Sequence, residues 1–540
     1  MRLNISRNLL PVMRESINLI KSIQANKYML TQAKFSIPLV PILFFYAYFY
    51  IGADHSILNK FDWYIFNTEA EIYRSALSNN SLPGFLTYKM PNATALSNIG
   101  EYYPAFPYGI RTPDVFMLPF VSNLSFIYIH LFWVVCLGLY GIYKLGKKIQ
   151  IGYFAYLILS ISWFLSGPLV ARMGIGHTPL FGYFLVPLFF YLLLNLNSQK
   201  IDWKNSINMG LFLFLIGLLG SAIVLAQMCL IIVFIMFMNL KKFLNYITAM
   251  CIGLVLSSYV ILPAILHSNY IGAPNRTVFE GYGWNYPNSS ALKNSIINYA
   301  FTIESISNIA RLLFHHFIRV FEQLVLAVSS STAVLKDGGW EWTLYSGVVY
   351  LPIFFLLLLF KRNLRTPIFS DSRENYLIKS LCLLLFILSV SLFYRYIYKV
   401  LNLVVEFPAI DRIPYRMMIY VLFLSYLYLF KNFELIINLI SKLQLRILVQ
   451  TLVVVSQYIS LILNGRYWAL TNLNQTFQQN DSRMNIYENV FTGVVSVPGI
   501  TIDTKIGYCI SILSFMLLIG VRYFHMIRRN HGAVIKKSFS

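Results

Sequence analysis

Residues 36–74 read SIPLVPILFFYAYFYIGADHSILNKFDWYIFNTEAEIYR. The first 17 of them, 36–52, carry no charge, and an uncharged apolar run of about that length can cross the hydrocarbon core of a bilayer. Charges then begin at Asp54, and no second apolar run starts until about residue 115. A span followed by a polar loop of about 60 residues puts Asp62 beside a membrane surface. The composition of the whole chain agrees: its 540 residues are 57% hydrophobic and only 12% charged, whereas soluble domains carry about 25% charged residues.

Working outward, the hydropathy pattern predicts an all-α polytopic membrane protein with about twelve spans. They fall at 36–52, 115–143, 151–170, 178–196, 207–220, 222–240, 243–266, 342–360, 377–394, 413–430, 447–464 and 506–523. The stretch 206–240 is too long for one straight crossing at about 1.5 Å per residue. Gly220-Ser221 near its middle predicts two short helices and a tight hairpin. With a cytoplasmic N-terminus, 26 of the 43 Lys and Arg residues fall inside and 17 outside, while acidic residues divide 5 and 16. That partition follows the positive-inside rule. It accounts for the net charge of +22 without a nucleic-acid partner.

The predicted organisation is a cytoplasmic amphipathic segment at 1–35, a single transmembrane domain at 36–524, and a basic cytoplasmic tail at 525–540. Long loops at 53–114, 267–341 and 465–505 lie on the opposite side. Residues 1–35 lack the pattern of a cleaved signal peptide. Leu9, Leu10, Met13, Ile17 and Ile20 recur at helical spacing, which suits a helix on the inner surface. The five cysteines all fall inside predicted spans, so no disulfide framework is expected.

Three constellations carry candidate chemistry. In the first loop, Asp62 precedes a helical stretch with Glu69, Glu71 and Arg74. A Leu82-Pro83-Gly84 turn follows, and Arg111-Thr-Pro-Asp114 comes just before the second span. The second is GPLVARMGIGHTPLFGYFLVPL from Gly167, which puts Arg172, Gly174, Gly176 and His177 in a short outer turn. The third is EFPAIDRIPYRMMIY from Glu406, with Arg412 and Arg416 four apart, hence on one helix face, at the outer start of a span. Each has a plainer reading. Asp62 also suits a helix N-cap, His177 a structural position at the span's start, and Arg412 and Arg416 snorkelling at the membrane boundary. Asp54 is the second acidic candidate. Glu69 and Glu71 suit a solvated face, and Arg395 with Lys399 repeats the four-residue spacing.

An acidic residue after the first span, a Leu-Pro turn about twenty residues on, a small-residue-Gly-His turn and an Arg-x-Pro-x-Arg segment occur here in one order. That order resembles the GT-C superfamily of membrane glycosyltransferases, in its bacterial form. The resemblance implies a bundle with a long first extracytoplasmic loop in the bacterial inner membrane, both termini in the cytoplasm. It implies a donor sugar carried on polyprenyl phosphate or diphosphate in the membrane lipid, and a glycan, lipid or protein acceptor. Asp62 would be the catalytic base; Arg412, Arg416, Arg172 and His177 would bind the carrier phosphate, with Arg111 as a further candidate. The sequence departs from the pattern at Gly84, which stands before Phe85, and at Tyr64, where a second acidic residue would complete an Asp-x-Asp metal site. No ligand motif supports a divalent metal, and no cofactor is expected. Two rivals use similar architecture: a lipid-linked glycan polymerase or ligase, expected to carry its Arg/His set in a large late loop, and a transporter or flippase, expected to carry ionisable groups deep within spans.

Overall fold

The computed structural model describes residues 36–47, 63, 66, 70, 74, 77, 87–89, 102–104, 112–174, 176, 178–196, 203–259, 345–360, 414–474, 506–507 and 509–520. The described chain is helical apart from one small ribbon. In order it forms α1 (Leu39–Phe45), β1 (Thr87–Lys89), β2 (Tyr102–Pro104), α2 (Asn123–Ile149), α3 (Tyr153–Phe164), α4 (Gly167–Gly174) and α5 (Val186–Asn195). These are followed by α6 (Trp203–Leu218), α7 (Ala222–Met238), α8 (Phe243–Leu256), α9 (Tyr350–Phe360), α10 (Met418–Asn438) and α11 (Leu443–Asn474), and by α12 (Cys509–Gly520). Four helical stretches are long and apolar enough to cross a membrane: Asn123–Ile149, Tyr153–Gly174, Met418–Asn438 and Leu443–Arg466. Shorter apolar helices lie at Leu180–Asn195, Ile223–Met238, Phe243–Leu256 and Cys509–Gly520.

Several boundaries differ from the sequence expectation. The second span does not begin at 115: Pro113–Met117 is a 3₁₀ turn, and α2 starts at Asn123, where Ser122 accepts from the Ser125 amide at 3.1 Å as its N-cap. At its other end, Gln150 adopts the left-handed conformation that closes a helix C-terminus. α11 runs ten residues past 464, into the stretch read as the third outer loop. The described chain is helical as expected, with one small ribbon in which Tyr88 pairs with Tyr103, antiparallel; Thr and Tyr favour strands. The 206–240 stretch is broken as its glycine suggests: Gly220 has φ +67, and α6 and α7 are separate helices.

Without a hydrophobic drive between helices in lipid, small residues and interhelical hydrogen bonds set the contacts. α2 meets α5 through a glycine, since a Cβ at Gly141 would lie 2.7 Å from Leu188 Cα. α6 meets α8 the same way at Gly210, and Ser206 donates to the Asn245 carbonyl at 3.1 Å. The register of these contacts gives helix directions independently of charge. Ser206 faces Asn245 and Gly217 faces Ser257, so α6 and α8 run parallel and α7 between them runs back. Phe154 meets Phe433 and Trp163 meets Phe423, so α3 and α10 are antiparallel. Tyr458 donates to Pro41 O and Gly465 abuts Phe45, so α1 and α11 are parallel.

Two helix C-termini are closed by charges of the sign their dipoles favour. Lys148 donates to Leu194 O at 3.0 Å and to Asn195 Oδ1 at the end of α5. Arg446 donates to Ile440 O at 2.7 Å and Asn438 O at 3.1 Å after α10. At a helix start the sign reverses: the Glu434 carboxylate on α10 accepts the Gly152 amide at 2.7 Å, at the head of α3. Glu434→Ala is expected to lower stability by about 1–2 kcal/mol, the worth of a charge-assisted capping bond. Thermal unfolding of the detergent-solubilised protein measures it. Buried irregular backbone is satisfied by side chains as membrane interiors require. At 346–349, Gln457 donates to Ser346 O at 2.7 Å and accepts the Val349 amide at 3.2 Å.

Candidate functional site

The site is built where the start of the first loop meets the end of α4. Residues 63, 66, 70, 74 and 77, the described ones of this segment, are helical. Trp63, Phe66 and Ala70 are buried. Trp63 sends its indole N–H to Met173 O at 3.0 Å, in the last turn of α4. Its backbone lies against Gly176, where a Cβ would sit 2.8 Å from Trp63 Cα, and Gly176 has φ +79. Only glycine meets both demands there, close approach and a left-handed backbone. Trp63 follows Asp62 in sequence and Gly176 precedes His177, so the immediate neighbours of two sequence-predicted residues are in contact.

Arg172 is not in the outer turn expected from the sequence. It lies within α4, because the helix continues through Met173 to Gly174 and the chain turns only afterwards. The residue is 3% exposed. Its guanidinium donates to Pro168 O at 3.0 Å and stands 5.9 Å from the centre of the Tyr183 ring, a cation–π distance. A cation in the last turn of a helix also complements the carbonyl end of the dipole. Tyr183 in turn donates to Gln227 Oε1 on α7 at 2.9 Å and meets Tyr420 edge-on at 6.0 Å on α10. Arg416, four residues before Tyr420, lies in the 3₁₀ turn Pro414–Met417 that opens α10. It is 6% exposed, so it does not snorkel into water at the boundary.

A continuous set of contacts therefore runs from Trp63 through α4 and Tyr183 to the start of α10. It joins three parts of the chain that are over 100 residues apart at each step. Arg172 belongs to this set, and Arg416, also buried, lies four residues before Tyr420. A guanidinium matches the oxygens of a phosphate in a planar fork. Asp62, His177 and Arg412 lie outside the described residues, as do Asp54, Glu69, Glu71, Arg111 and Arg395. Among the described residues no group of three or more His, Cys, Asp or Glu side chains is placed to hold a metal ion.

Sequence reasoning missed a second polar cluster beside this one. Asp114 Oδ2 accepts from His130 Nδ1 at 2.6 Å and from Trp133 Nε1 at 2.9 Å, and Thr112 Oγ1 lies 3.5 Å from the same His130 nitrogen. Burial pushes the Asp114 carboxyl up, but the His130 hydrogen bond and charge, with Thr112 and Trp133, outweigh it and hold the group below the usual carboxylate range. The Asp114 carboxylate therefore stays ionised as pH falls until that lowered value is reached. A histidine 16 residues after an aspartate, inside an otherwise apolar helix, was the available signal, since ionisable residues within spans are rarely idle. Arg74 was visible but unassigned. It donates to Leu118 O at 2.9 Å and Val121 O at 3.0 Å, and to Asn123 Oδ1. No family model, curated protein or solved structure matches this chain.

Proposed function

We propose that the protein is a membrane glycosyltransferase of the GT-C type, which takes a sugar from a polyprenyl-phosphate or polyprenyl-diphosphate carrier and attaches it to a glycan, lipid or protein acceptor outside the cytoplasm. The observation that carries the reading is the Trp63–Gly176 contact, which joins the segment after Asp62 to the turn before His177, next to the buried Arg172. The buried Arg416, reached through Tyr183 and Tyr420, adds a second guanidinium.

In this reading Asp62 accepts the proton of the acceptor hydroxyl as its oxygen attacks the anomeric carbon. The carbon–oxygen bond to the carrier phosphate breaks with inversion, and the electron pair leaves on the phosphate. Arg172, Arg416 and Arg412 stabilise that departing charge, and His177 contacts the head group. A positioned base contributes about 10²–10⁴-fold. The arrangement works from the extracytoplasmic side of a bacterial inner membrane, with both termini in the cytoplasm.

Arg416→Ala and Arg172→Ala are expected to weaken binding of the carrier-linked sugar about tenfold or more, the loss of a charge-assisted hydrogen bond. Arg→Lys at either position restores only part of it, because an ammonium lacks the planar fork. Titration of the purified variants with a polyprenyl-phosphate sugar measures this. Equal affinity in wild type and both alanine variants removes these arginines from the phosphate site.

A further inference from the structure

We propose that Asp114 and His130 form a positioning clasp that holds both limbs of the first outer loop on α2, so that the segment beginning after Asp62 is presented to the Gly176 turn. What the clasp serves rests on the transferase reading; the clasp itself does not.

The geometry brings the two limbs to the same stretch of α2. On the first limb, Phe66 stacks on Phe126 at 6.0 Å and meets Trp63 edge-on at the same separation. One turn along α2, His130 stacks on Phe126 at 5.7 Å and lies 5.3 Å from Phe181, in the stretch that follows the Gly176 turn. The second limb ends in Thr112 and Asp114, which grip His130 Nδ1. Arg74 then joins the limbs directly, from the first limb to the carbonyls of Leu118 and Val121 on the second. His130 thus touches the second limb by hydrogen bond, the aromatic file from Trp63, and Phe181 together.

The chemistry of the pair argues for position rather than bulk stability. His130 is 0% exposed, and among the described residues neither its Nε2 nor Asp114 Oδ1 has a hydrogen-bond partner. A half-satisfied buried polar pair is worse for stability than a well-packed apolar one. What it supplies is direction: the carboxylate fixes which nitrogen donates and so the plane of the ring. The ring plane in turn sets how Phe126, and through it Phe66 and Trp63, can stack. An apolar side chain at 130 would fill the same space without selecting one seating of the loop.

The test uses the full-length protein in a cysteine-free background with Ala70→Cys as a reporter, because Ala70 is buried on the first limb. His130→Phe keeps the ring and removes the donor; His130→Asn puts an amide N–H near the place of Nδ1 and removes the second ring nitrogen. The clasp predicts that His130→Phe speeds thiol labelling at position 70 and lowers kcat about tenfold to a hundredfold, the cost of a misplacement of about 1 Å. KM for the polyprenyl-phosphate sugar stays within about twofold. His130→Asn is predicted to restore slow labelling and most of kcat, since it keeps the bond to Asp114. If His130→Phe labels and turns over like the parent, or if His130→Asn is as impaired as His130→Phe in both readouts, the hydrogen bond positions nothing and the proposal falls. If labelling follows the donor as predicted while the parent transfers no sugar, the clasp stands and the transferase reading fails instead.

Discussion

Asp62→Asn is expected to lower sugar transfer by about 10²–10⁴-fold while the protein remains folded and inserted in the membrane. The amide keeps the shape of the carboxylate and its capacity to cap a helix, but it cannot accept the proton of the acceptor hydroxyl. That separation matters because the two readings of Asp62, base and N-cap, predict different outcomes for one substitution. An N-cap aspartate replaced by asparagine loses little, since the two are close to equal at that position. A base replaced by asparagine loses turnover with binding of the carrier-linked sugar largely kept. Single-turnover transfer by the purified variant, with thermal unfolding as the check on folding, distinguishes them. Normal turnover would remove Asp62 as base and move that role to Asp54.

Gly176→Ala is expected to produce the largest structural effect of any single methyl group in the described chain around the site. The backbone there has φ +79, and the added Cβ would meet the backbone of Trp63 as well as its ring. A left-handed backbone costs a non-glycine residue about 1–2 kcal/mol before any contact is counted. The collision adds to this, because its partner is main chain rather than the flexible end of a side chain. Trp63 must then back away, which strains its bond to Met173 O. The expected result is a thermal midpoint lowered by several degrees and transfer reduced about 10²-fold, as for a misplacement of about 1 Å in a catalytic site. Gly217→Ala serves as the control, since a Cβ there meets nothing closer than the Ser257 hydroxyl at 3.5 Å. Equal behaviour of the two variants would show that the Trp63–Gly176 contact positions nothing.

Much of the architecture was legible because a bilayer imposes simple rules. Apolar runs long enough to cross it mark helices. The break at Gly220 was readable because one helix of that length has nowhere to go. What escaped was set by tertiary contact. The start of α2 at Asn123 rather than 115 depends on Pro113–Met117 being held as a separate turn beside His130, which hydropathy does not register. Arg172 read as a turn residue because Gly174 and Gly176 follow it, yet α4 persists to Gly174, and the turn uses only Gly176 in a left-handed conformation. A helical stretch after Asp62 was expected, but the docking of Trp63 on α4 was not. The Asp114–His130 pair went unread because its two halves fall in different segments, one counted as loop and the other as span.

The measurement that bears most directly on the central claim is a transfer assay with the purified protein in lipid vesicles and a polyprenyl-phosphate-linked sugar as donor. The account predicts that the donor is consumed with inversion at the anomeric carbon, that the sugar appears on an acceptor, and that Asp62→Asn stops both. If the donor is left intact while a labelled lipid or solute crosses the bilayer in a protein-dependent way, the protein is a transporter or flippase and the transferase account is contradicted.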